Sequence, residues 1–302
     1  MNIEPTKDIQ MGALAAQVVA PPPGRAWAAR WRRELSSPLV AIALAVFAAV
    51  VFMAVCAPLL SHADPVAIDP AQRLGKMSAE HWLGTDAFGR DTYARLLHGA
   101  RVSLVVGAGA TLASALLGLF IGVVAGYFRR ADAIIMRVMD GIMAIPSILL
   151  AIALVSLTGG TLVTVLVAIT VPEVPRVVRL VRGVILGARG EPYVEAAISM
   201  GARAHRLLWR HMVPNTIAPL VVQGTFTFAS AILTEATLSF LGAGLPTEIP
   251  SWGNMMADGR MYFQLVPGLV LYPGIVLALT LLAVNILGDV LRDVLDPRLA
   301  AK

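Results

Sequence analysis

Six long apolar blocks dominate the chain, at residues 39–60, 102–128, 134–157, 161–178, 218–243 and 266–287, the third interrupted by Pro146. As helices, each is long enough to span a hydrocarbon layer of roughly 30 Å. Their apolar residues lack the period-two and heptad patterns by which soluble folds separate a core from a surface. With 57% hydrophobic and only 14% charged residues, the chain is too poor in charge to cover a water-soluble globule of this size. The expectation is an all-α integral membrane protein with six transmembrane helices.

Basic residues set the orientation. With the N-terminus placed inside, the inner segments hold 18 Lys and Arg and the outer segments hold 6, so both termini are expected in the cytoplasm. This placement also accounts for the formal charge of +5 without nucleic acid, because the basic residues lie between apolar spans. Three regions are expected: a cytoplasmic tail at 1–35, a transmembrane domain at 36–299 and a short C-terminal tail at 300–302. The first tail carries a Pro-rich stretch, expected to be disordered, and a basic patch at 25–33 with Trp27 and Trp31 that suits the inner membrane surface. Cys56, the single cysteine, excludes an internal disulfide and a Cys-based zinc cluster, and reads as an apolar thiol within a helix.

Two patterns bear on packing and work. Ala110, Ser114, Gly118, Gly122 and Gly126 recur every four residues, a spacing that forms one small-residue face. Either static packing or a moving interface would use it. The inner segment 191–215 is longer than a turn needs to be and dense in arginine. Pro192 suits a first helical turn and Glu195 its positive end. Ala196 and Ala197 are small enough for a partner's cleft. Gly201 can end the helix in a left-handed turn, and a second short amphipathic helix is expected to run to Pro214.

Glu195-Ala196-Ala197, then Gly201, then His211-Met212-Val213-Pro214 resembles the docking loop of ABC importer permeases. His81-Trp82-Leu83-Gly84-Thr85-Asp86, Gly89-Arg90-Asp91, Gly99-Ala100-Arg101-Val102-Ser103-Leu104, Leu238-Ser239-Phe240-Leu241-Gly242 and Pro250-Ser251-Trp252-Gly253-Asn254-Met255 narrow it to the dipeptide/oligopeptide/nickel permeases, second subunit type, over residues 36–299. The resemblance implies type I importer architecture in a bacterial inner membrane. It implies a heterodimer with a second homologous permease, two ATPase subunits that carry ATP and Mg, and an external substrate-binding protein. This chain itself would hold no cofactor and catalyse no reaction. Glu195, Ala196, Ala197, Gly201 and Pro214 would couple it to the ATPase. Short peptides are the first choice of substrate, with glutathione-like peptides or a metal chelate behind. Glu173, flanked by Pro172 and Pro175, departs from the small or aromatic residues that the resemblance implies there.

Acidic residues in spans are functional candidates by default, since burying an unpaired carboxylate is expensive. Glu235, expected about 12 Å deep, either faces the translocation path or ties helices together through Ser or Thr. Asp140 is the second path candidate. Arg137 with Asp140, and Arg176 with Glu173, are each spaced for ion pairs at helix ends, a reading favoured for both over a substrate contact. His62, His81 and His98 lack a helical ligand spacing and read as solvated, not as a metal site. Gly75-Lys76 imitates part of a phosphate-binding loop, but Pro70 and Met77 stand where its glycine and its Ser or Thr belong. A secondary transporter would require matching broken halves, and a membrane enzyme a cluster of catalytic groups; the sequence shows neither.

Overall fold

The computed structural model describes residues 36–295. The tail with its 25–33 patch and the 300–302 extension lie outside the described residues. Ten α-helices follow in order: α1 Pro38–Leu60, α2 Thr92–Tyr127, α3 Arg129–Met143, α4 Ser147–Thr158, α5 Leu162–Arg189, α6 Pro192–Ser199, α7 Ala204–Leu207, α8 Pro214–Phe240, α9 Trp252–Gly259 and α10 Gly268–Leu295. A π-helical turn, Leu208–Met212, joins α7 to α8. Among the described residues the sole β pairing is an isolated bridge between Thr85 and Asp91.

Four helices, α1, α2, α8 and α10, are long and apolar enough to cross a membrane, and α3 with α4 makes a fifth candidate bent by 88°. The expected six are reached only if α5 is counted with them. The third block is therefore not one continuous helix. Pro146 has no N–H to donate and its ring disfavours helical geometry in the preceding residue, so the chain opens there (ψ 128°) before α4 begins. α2 begins ten residues earlier than its apolar block because Asp91 caps it, accepting from the Ala94 N–H at 2.6 Å. α5 runs to Arg189, well beyond the expected end at 178.

The tightest seam lies between α2 and α5. A Cβ on Gly122 would stand 2.7 Å from Val181 Cβ and 2.9 Å from the Val178 carbonyl oxygen, and one on Gly126 would stand 2.7 Å from Ile185 Cβ. Gly118 meets Val177 in the same way. The small-residue row is thus packed inside the chain, its one face filled by Val177, Val181 and Ile185 at four-residue spacing. α8 packs against α2, α5 and α10, and the apolar core at the α2–α5–α8 junction includes Val106, Ala110, Ile169, Ala231 and Leu238.

Candidate functional site

Segment 191–215 begins with a short helix propped on the end of α5. Pro192 opens α6 and Glu195 lies in its first turn. The helix stops in a Schellman turn: the Ala202 N–H donates to the Ala197 carbonyl at 3.1 Å and the Gly201 N–H to Ile198 at 2.9 Å. Gly201 adopts φ +78°, a conformation that only glycine takes freely. Val194 and Ala197, three apart on one face, are buried with Ile185, Leu207 and Met212. The opposite face carries Glu195 and Ala196, both exposed, beside Ile198 and Met200, which is 82% exposed. Ala196 therefore faces outward, whereas its neighbour Ala197 belongs to the chain's own core.

Behind α6, the expected second helix is realised as α7 plus the π-helical turn. Asn215 Nδ2 donates to Tyr193 Oη at 2.7 Å and to the His211 carbonyl at 2.9 Å, fixing α6 against the start of α8. Pro214 occupies the first turn of α8 and is exposed. Tyr193, Met200, Arg203, Arg206 and Arg210 line a basic groove beside the exposed face.

Glu235 is completely buried, five residues before the end of α8, shallower than expected. Ser239 Oγ donates to its carboxyl at 2.9 Å and Ser103 Oγ on α2 at 3.4 Å, with the Ser251 hydroxyl close by. Among the described residues no cation pairs with it. Serines from three stretches of chain converge on one carboxyl, a geometry suited to tying helices together.

Three acid–base pairs follow α5. Arg176 holds Glu173 through Nη1 at 2.9 Å, and Ser230 on α8 donates to the same carboxylate at 3.1 Å. Asp140 accepts from Arg179 at 2.6 Å, 39 residues away in sequence, and not from the expected Arg137. Sequence reading missed the third pair, a two-pronged contact between Arg182 and Asp132. Its trace was legible: arginines at 176, 179 and 182 repeat every three residues opposite acids at 132 and 140. Glu173 and Arg176 do not lie at a helix end, because α5 continues to Arg189.

The segment between α1 and α2, expected outside, holds a buried charge cluster whose arginines the sequence suggested only as loop charges. Arg90 donates to Asp86 at 2.6 Å and to Asp258 at 2.7 Å, and Arg95, 1% exposed, lies 3.7 Å from each carboxylate. Both arginines also donate to the Thr247 carbonyl, at 3.2 Å in each case. Trp252 Nε1 donates to the Leu96 carbonyl at 3.2 Å, and Asn254 Nδ2 holds three carbonyls of the preceding loop. The two outer motifs, some 150 residues apart, are thus one structure. His81 is not simply solvated: its Nδ1 lies 2.6 Å from Asp91, while His98 Nδ1 lies 2.9 Å from the Ala94 carbonyl and His62 is exposed. Among the described residues no three His, Cys, Asp or Glu side chains are grouped to hold a metal ion. Gly75 belongs to a turn braced by Thr85, whose Oγ1 accepts the Gly75 N–H at 2.7 Å.

Comparison with known proteins gives the family. The family described as binding-protein-dependent transport system inner membrane component matches residues 114–301. A relative from Sinorhizobium fredii, named a probable peptide ABC transporter permease protein, is 54% identical over 86% of this chain and 89% of its own. The dipeptide transport system permease of Alkalihalophilus pseudofirmus is 40% identical over 90% of both chains. The glutathione transport system permease of Pectobacterium atrosepticum is 39% identical over 90% of this chain and 91% of its own. With several membrane-length apolar helices and this breadth of match, the chain belongs to the binding-protein-dependent inner membrane components, as a multi-pass ABC permease subunit.

Proposed function

We propose that this permease forms half of the translocation path of an ATP-driven importer of short peptides, paired with a second homologous permease. Two ATPase subunits would bind ATP and Mg and an external binding protein would deliver substrate. The observation that carries this reading is the exposed Glu195–Ala196 face of α6, propped rigidly on α5 through Val194 and Ala197. A short helix so braced moves with the membrane helix behind it, so a nucleotide-driven push on its outer face would bias which side of the path is open. The relatives named for peptide and dipeptide transport favour peptides as cargo. Glutathione-like peptides are the second reading, on the strength of the 39% identical relative alone.

The test is uptake by the reconstituted complex. Glu195→Lys reverses the charge on the docking face, and Gly201→Pro forbids the +78° turn that ends α6. Both variants should reach the membrane at normal levels and leave ATP hydrolysis running. ATP-dependent peptide uptake should fall by about tenfold or more, within the usual range of coupling between linked sites. Normal uptake by both would remove the docking role of α6.

A further inference from the structure

At the centre of α5 stands an arginine that is only half used. Arg176 lies 14 residues from one end of the helix and 13 from the other, about 20 Å either way. The α2–α5 seam also places this part of α5 well away from a helix end. Val177 packs on Gly118, nine residues from the Tyr127 end of α2, roughly 14 Å along that helix. Glu173 is 4% exposed and held by Ser230, but the Arg176 side chain is 48% exposed and engages Glu173 through Nη1 alone. Nε and Nη2 have no polar partner among the described residues. A guanidinium that open, midway along a helix packed against the membrane-length α2 and α8, is costly to leave against hydrocarbon, and such groups border either a water-filled path or another polar surface.

We propose that Arg176, held in place by Glu173 and Ser230, is a contact for the terminal carboxylate of a peptide crossing the membrane. The inference rests on the peptide-importer reading. A guanidinium with one edge anchored and the other free matches the fork geometry of a carboxylate. Because Glu173 neutralises the arginine, the bound carboxylate is not trapped by an excess positive charge, which suits a group that must be released. Arg179 with Asp140 and Arg182 with Asp132 repeat the acid–base pattern along α5 toward α6. A zwitterion moving that way meets both charges at each step.

The experiment compares uptake of dialanine and dialanine amide by the full complex, wild-type and Arg176→Gln. Selection by the binding protein is common to both complexes and cancels in the double ratio. Arg176→Gln should lower uptake of the free acid about tenfold more than that of the amide, the scale of one lost hydrogen bond to a charged group. Arg176→Lys should recover part of the difference. An equal loss for both peptides, or no loss, overturns the proposal. Failure of Arg176→Gln to copurify with the second permease overturns it in favour of an interface role. If the wild-type complex takes up neither peptide, the peptide reading itself fails, and this contact with it.

Discussion

Glu235 shows how little a charge in a span says until its neighbours are known. Alone in the sequence it could face a path or tie helices, whereas in the fold it is wholly buried beneath Ser103, Ser239 and Ser251. Glu235→Gln keeps an acceptor for those hydroxyls and should leave transport affinity unchanged, measured as the KM of peptide uptake. Glu235→Ala strands them, which costs about 1–3 kcal/mol for an unsatisfied buried group, and should lower the unfolding temperature of the detergent-solubilised complex. A Gln variant with sharply raised KM would return Glu235 to the path. Asp140 was legible as an intramembrane acid, but its partner was not. Arg137 is nearer in sequence, yet Arg179 on the facing helix reaches it. Spacing along one helix cannot report a contact between two.

Helices succeeded or failed in the sequence according to where their polar groups went. α1 follows its apolar block almost residue for residue, since nothing charged interrupts it. α2 and α5 run past their blocks because Arg95, Arg179 and Arg182 find partners within the fold, so charges that look like loop remain helical. The α2–α5 seam should be intolerant of added volume. Gly122→Ala would force a methyl toward Val181 and the Val178 carbonyl, a strain of about 1–3 kcal/mol by overpacking. Gly183→Ala meets nothing within 4 Å in this chain and should be neutral in the same thermal assay. A loss at Gly183 equal to that at Gly122 would place another subunit against that face.

Across the whole molecule, the outer cluster joins the start of α2 to the loop and α9 near the far end of the chain. Arg90, Arg95, Asp86 and Asp258 neutralise one another out of water. Removing one member leaves its partners charged and buried, a loss of about 3–5 kcal/mol. Asp258→Ala should therefore reduce the amount of folded protein in the membrane. The defect should persist at high salt, because buried charges are screened far less than exposed ones. Recovery of normal levels in salt would mean that the cluster is solvent-exposed.

The amino-acid order alone determined the all-helical membrane class, the short helix at 192–199 and its glycine-terminated turn, because lipid leaves a backbone few options and a left-handed residue calls for glycine. Only the tertiary structure decided which face of that segment is free, how far the third block bends at Pro146, and which arginine answers each acid. Those outcomes depend on which side chains meet across helices distant in sequence, and hydropathy along a single chain carries no record of such meetings.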